Sequence, residues 1–162
     1  MKIKCLVVDD EPLAIRLIEN HISKIDALEV VASCSNALKA FEIINTQQVD
    51  LLFLDIKMPN MSGVDFIKTL KNPPKTIFTT AHRDFAIESY DLEVVDYLLK
   101  PITFERFFKS VERFLREGQE KEYGGYSRKS RANAVDDFIV VKSGSKEYDL
   151  KFLLILQLIL EF

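Results

Sequence analysis

Short apolar runs alternate along this chain with stretches whose apolar residues recur every three or four positions. Lys4–Val8 is a run of the first kind and reads as a strand ending in acids. From Pro12 to Ile22, Leu13, Leu17, Ile18 and Ile22 fall at helical spacing. Leu28–Ala32 is a second strand, and Ser35 suits the N-cap of a helix carrying Ala37, Leu38, Phe41 and Ile44. Leu51–Leu54 is a third apolar run, which ends at Asp55. Pro59 and Gly63 punctuate the loop after it, and Val64–Leu70 is the next helix. Thr76–Thr79 predicts a strand, Phe85–Tyr90 a helix and Val94–Leu99 a further strand. Lys100-Pro101 breaks the chain, and Phe104, Phe107, Phe108, Val111, Phe114 and Leu115 mark a last amphipathic helix.

A strand–helix unit repeated five times, with strands apolar along their whole length, predicts an α/β fold with a parallel sheet covered on both faces. Such sheets bind ligands at the carboxyl ends of their strands, near a switch in strand order. The conspicuous polar residues fall at those ends. Asp9 and Asp10 follow the first strand, Asp55 the third, Thr80 the fourth and Lys100 the fifth.

Three carboxylates gathered at one sheet edge repel each other, and a hard divalent cation relieves the repulsion. Mg²⁺ suits a few carboxylates plus waters and phosphate oxygens. One carboxylate left free can attack phosphorus and form an acyl phosphate. A fixed cation and a hydroxyl donor would hold the remaining phosphoryl oxygens, and Lys100 and Thr80 are the right types for this. Each residue alone has a plainer reading. Asp9 and Asp10 suit a helix N-terminus, Asp55 a turn, Thr80 a cap and Lys100 a strand terminus. The constellation favours the functional reading, because a motif gains weight from its structural context.

Composition narrows the setting. The 162 residues suit one full domain plus a short appendage, and 48% hydrophobic residues suffice for a core. A net charge of −3 argues against nucleic-acid binding by the whole surface, leaving room for a local patch. Cys5 and Cys34 fit no metal spacing and read as reduced core residues. No signal peptide or membrane-spanning run is visible, so the expectation is a cytoplasmic protein without a membrane partner.

Residues 119–137, with Gly124-Gly125 and many charges, read as a linker after a first domain spanning 1–118. Arg128, Lys129 and Arg131 could touch phosphates, though a charge run is usually a solvated linker. Phe138–Val141 and Glu147–Phe152 then predict a short β hairpin around Ser143-Gly144-Ser145.

The segments LVVDDEP, LLFLDIKMPNMSG, IFTTAH and VDYLLKPI resemble those of response-regulator receiver domains, most closely the LytTR-type (LytR/AlgR) branch, from Lys2 to about Gly118. The resemblance implies a doubly wound, flavodoxin-like five-stranded sheet in the order 2-1-3-4-5. It implies a signalling domain rather than an enzyme, with Asp55 as phosphoacceptor for a sensor histidine kinase. Asp10 and Asp55 would ligate Mg²⁺ directly, with the backbone carbonyl of Lys57 and help from Asp9. Thr80 and Lys100 would contact the phosphoryl oxygens, a cis peptide would join Lys100 to Pro101, and Tyr97 matches the switch aromatic. From the residues alone, Tyr97 in a final strand would be packing. His21 reads as a surface helix residue. His82 is a candidate for lining the site mouth and tuning phosphoryl lifetime, with an ordinary loop position the preferred reading.

The segment FIVVKSGSKEYDLKF resembles the opening strands of a LytTR-type DNA-binding domain, so 138–162 would be the partial start of one. The full-length protein is then expected to bind promoter DNA, and this chain not. The apolar Leu153–Phe162 does not look like the expected continuation, which leaves a truncation or an altered reading frame as readings. An apolar tail of this kind, Phe152–Leu160, is expected to drive self-association, with a homodimer as one outcome.

Three competing readings are weaker. A haloacid-dehalogenase-type phosphatase wants a second Asp where Lys57 stands. A flavodoxin-like flavin binder would need a phosphate cradle where Asp9, Asp10 and Glu11 repel one. A phosphorylation-independent receiver would not need every one of these residues, and all are present.

Overall fold

The computed structural model describes residues 1–82, 92–122, 141–143 and 146–148. The helix expected at Phe85–Tyr90, most of the expected linker and the apolar tail lie outside the described residues. The chain divides into two units, residues 1–124 and 125–162.

In the first unit, β1 (Ile3–Val8), α1 (Pro12–Ser23), β2 (Leu28–Cys34), α2 (Ala37–Thr46), β3 (Leu51–Asp55), α3 (Gly63–Thr69), β4 (Lys75–Thr80), β5 (Asp96–Leu99) and α4 (Phe104–Glu122) follow in order. The five strands form one sheet in the order β2-β1-β3-β4-β5, and every neighbouring pair is parallel. The strand order reverses between β1 and β3, where Val8 pairs with Leu54. Asp9 and Asp55 are the next residues along these two segments, so the topology itself brings the acids together.

Alternation along the strands builds two cores. Cys5, Val7, Leu51, Phe53 and Ile77 face α1 and α4, packing with Ile18, Ile22, Phe107 and Val111. Leu6, Val8, Leu52, Leu54 and Phe78 face α2 and α3, packing with Ala37, Ala40, Phe66 and Ile67. Each large side chain so buried stabilises the fold by about 1.5–3 kcal/mol. Burial pushes the Cys5 thiol up to about 12 and raises Cys34 as well, so both stay protonated, as expected of free core cysteines.

The helices differ from the sequence reading in ways that packing explains. Leu13 on α1 is 76% exposed, and Leu38 and Phe41 on α2 are 72% and 47% exposed. The sheet-facing side of α2 is made by Ala37 and Ala40, whose small side chains let the helix approach closely. Leu38 and Phe41 instead line a cavity of about 540 Å³ with Met61 and Phe66. Asn36, not Ser35, caps α2: its side chain accepts from the Lys39 amide at 2.9 Å. Both types cap well, so composition could not choose between them. His21 is not a surface residue: it is 5% exposed, with its Nε2 2.9 Å from the carbonyl oxygen of Ile102. α4 continues to Glu122, into the stretch read as linker.

In the second unit, β6 (Val141–Ser143) and β7 (Lys146–Tyr148) pair antiparallel, with Lys142 opposite Glu147. The hairpin expected there is thus present, with its strand bounds moved toward the turn. The rest of the segments read as its strands lies outside the described residues. Among the described residues, no helix is long and apolar enough to cross a membrane.

Candidate functional site

Asp9 leaves β1 with its amide bonded to the carbonyl of Cys34 on β2, which turns the chain over the sheet edge. Its carboxylate accepts from the Glu11 amide at 2.9 Å and is 3% exposed. Pro12 then opens α1 at a position where a missing N–H matters least. Asp10 stays exposed at the same edge, and Asp55 is buried at the end of β3. Carboxylate oxygens of Asp9, Asp10 and Asp55 all lie within 4.8 Å of one another.

Among the described residues, one cation answers these acids. The Lys100 ammonium lies 2.8 Å from Asp9 Oδ2, 3.1 Å from Asp55 Oδ1 and 3.3 Å from Glu11 Oε1. Burial works against its charge, but the hydrogen bond to Asp9 and the charges of Asp55 and Asp9 outweigh this and hold its pKa above the usual range. Burial also pushes the Asp55 carboxyl up to about 6; Asp9 and Asp10 add to the rise and Lys100 opposes it. Lys100 and Pro101 are joined by a cis peptide, as the resemblance implied.

The loop after Asp55 is anchored at both ends. The Ile56 amide donates to the Thr79 carbonyl at 2.9 Å, and the Gly63 amide donates to the Ile56 carbonyl at 2.8 Å. Lys57 follows Ile56 directly, so its backbone belongs to this held segment. Between the anchors, Asn60 has φ 68, and Met61 N–H bonds Pro59 C=O at 2.9 Å, a tight three-residue turn. Gly63 has a further task. A Cβ built there would collide with the carbonyl oxygen of Asp55. In the sequence Gly63 punctuates a loop and Glu11 follows a pair of acids; their contacts to Asp55 and Lys100 come from the fold.

Thr80 ends β4, buried, with its Oγ1 accepting from the His82 amide at 3.1 Å. The Lys57 ammonium and His82 Nε2 lie 3.4 Å apart, so the two loops flanking Asp55 meet at an exposed pair. Tyr97 is half-buried on β5 and stacks on Phe78, ring centroids 5.6 Å apart. Behind it, Arg106 grips Asp96 with bonds of 2.7 and 2.8 Å and donates to the Tyr97 carbonyl at 2.8 Å. The candidate residues Asp9, Asp55 and Lys100 thus touch, Asp10 joins the cluster, and Thr80 ends the strand beside Asp55. Tyr97 packs on the neighbouring strand.

Residues 5–112 match the response regulator receiver domain family. The chain belongs to that family. This receiver domain is 37% identical over 122 residues to the transcriptional regulatory protein BtsR of Salmonella typhi, covering 74% of this chain and 51% of that protein. It is 38% identical over 113 residues to the sensory transduction protein LytR of Staphylococcus haemolyticus, covering 68% of this chain and 44% of that protein. The chain therefore spans about half the length of these curated relatives. Among solved structures, the response regulatory domain of mrkE from Klebsiella pneumoniae aligns with TM-score 0.66 and 29% identity, covering 73% of this chain and 99% of that one. The receiver domain of AraT from Geobacillus stearothermophilus aligns with TM-score 0.64 and 32% identity, covering 75% and 99%. The chain thus carries the receiver domain of a two-component response regulator, a signalling domain with transcriptional regulators among its relatives.

Proposed function

We propose that this receiver domain accepts a phosphoryl group from a sensor histidine kinase on Asp55 and so switches a transcriptional output. The observation that carries the reading is the Asp55 carboxylate, gathered with Asp9 and Asp10 and 3.1 Å from the Lys100 ammonium at the sheet's carboxyl edge.

The donor set fits Mg²⁺. Asp10 and Asp55 offer hard carboxylate oxygens, the Lys57 carbonyl can add another, and Asp9 supports them from the buried side. When bound, Mg²⁺ would supply neutralisation of phosphoryl charge. Asp55 supplies the nucleophilic oxygen. Its bond to phosphorus forms as the bond from phosphorus to the donor's imidazole nitrogen breaks, and the electron pair returns to that nitrogen. Lys100, a fixed cation, and the Thr80 hydroxyl take the phosphoryl oxygens. Their preference for the phosphorylated state biases the domain toward its active form, with Tyr97 following Thr80 as the switch aromatic.

The relatives' names and the sequence resemblance support a LytTR-type DNA-binding output for the whole protein, with 1–118 as receiver, 119–137 as linker and 138–162 as the start of the output module. The decisive experiment is incubation with acetyl phosphate and Mg²⁺. One phosphoryl group is expected on the wild-type chain and none on Asp55→Asn; equal labelling of the variant would overturn the assignment.

A further inference from the structure

His21 lies at the end of α1, away from the acid cluster, yet it is buried and makes a bond across 81 residues of chain. Its Nε2 lies 2.9 Å from the carbonyl oxygen of Ile102. A carbonyl only accepts, so this pairing assigns the hydrogen to Nε2. Nδ1 is buried without a hydrogen-bond partner among the described residues, so the Ile102 bond is the ring's single polar attachment there. Phe104 and Phe107 hold the ring at centroid distances of 5.6 and 5.2 Å. Phe107 in turn stacks on Phe53, two residues before Asp55, at 5.1 Å.

The position of Ile102 gives this bond its meaning. Ile102 is two residues past Lys100, and the residue between them is Pro101, which has no N–H to offer. The Lys100 amide donates to the Thr80 carbonyl at 2.8 Å. The turn that carries Lys100 is therefore held by the bond from the Lys100 amide to the Thr80 carbonyl and, two residues on, by the bond from the His21 side chain to the Ile102 carbonyl. The Lys100 side chain reaches Asp55 and Asp9 from that turn. A ring that merely filled space would leave the Ile102 carbonyl to find a donor elsewhere in the core.

We propose that His21 is a positioning residue for phosphorylation of Asp55: through the Ile102 carbonyl it holds the turn that presents Lys100 to the site. The inference rests on the role assigned above to Lys100, and the test separates the two.

The test uses the 162-residue chain and reads the initial rate of acetyl-phosphate labelling at saturating Mg²⁺. His21→Phe keeps the ring volume and removes the donor; His21→Gln keeps an N–H at similar reach. His21→Phe is expected to slow labelling by about fivefold and His21→Gln to restore most of the rate. Saturating Mg²⁺ keeps any difference in metal affinity among the three proteins out of the comparison. In a Lys100→Ala background, His21→Phe should have no further effect, since the two changes act through one group. An unchanged rate in His21→Phe, or an undiminished loss in the Lys100→Ala background, would overturn the proposal. A wild-type rate in Lys100→Ala alone would instead overturn the role of Lys100. Should His21→Phe not fold, the wild-type chain decides. The His21 ring resonances are expected to shift when Mg²⁺ and beryllium fluoride bind at Asp55 and move Lys100 from its carboxylate partners onto the fluoride, and unshifted resonances would overturn the proposal.

Discussion

The Lys100 ammonium sits 3.1 Å from Asp55 Oδ1, and its other close partner is the equally buried Asp9 at 2.8 Å. Among the described residues a single cation thus balances the two buried acids of the site, while Glu11, the third partner, reaches it from the exposed start of α1. Any group that takes over part of this balance, a metal ion or a phosphoryl group, changes what Lys100 can hold.

Lys100→Ala leaves both acids without that cation. Losing the partner of buried charged groups should lower stability at neutral pH by about 1–3 kcal/mol. Acetyl phosphate should still label Asp55, more slowly, but the labelled variant should lack the activated conformation of the wild type. Matching backbone amide spectra of the two labelled proteins would sink this prediction.

Asp55 makes stability depend on pH in the presence of a chelator. Its carboxyl is pushed up to about 6 from an ordinary value of 3.8, so the folded state keeps a proton that the unfolded chain has lost. Stability therefore falls as pH rises from about 4 to about 6 and levels off above, by roughly 2–3 kcal/mol in all. Asp55→Asn has no such proton to lose. Urea denaturation should find it more stable than the wild type at pH 7 and nearly equal at pH 4; the opposite order would refute the shift.

Asp10 is exposed, so its removal should barely touch the fold. Asp10→Ala should nevertheless weaken Mg²⁺ binding by at least about tenfold, the loss typical even of an outer-shell partner. Calorimetric titration gives the answer, and an unchanged affinity would exclude Asp10 as a ligand.

Gly63→Ala sets a methyl group against the Asp55 carbonyl, which is backbone and cannot swing aside. A destabilisation of about 1–3 kcal/mol is expected, as for overpacking elsewhere. Labelling of Asp55 should also slow, because the collision displaces the residue that reacts. A variant as stable and as fast as the wild type would contradict this.

The alternation of strands and helices was legible in the chain because burial on a sheet or a helix imposes a period on the residues that form it. Asp9, Asp10, Asp55, Thr80 and Lys100 could be placed for the same reason: parallel strands all end at one edge, so residues following them become neighbours before any distance is known. Hydropathy alone did not say which apolar residues face inward. Leu13, Leu38 and Phe41 fit the helical period yet stand in solvent, while Ala37, Ala40 and the polar His21 are covered. Burial belongs to the surface that meets a side chain, and that surface is assembled from strands and helices distant in sequence. The same holds for the pairing of Lys100 with Asp9, Asp55 and Glu11, for the carbonyl that excludes a side chain at Gly63, and for the bond from His21 to Ile102. Each joins residues that no local pattern relates, and each exists only once the sheet has brought their backbones within reach.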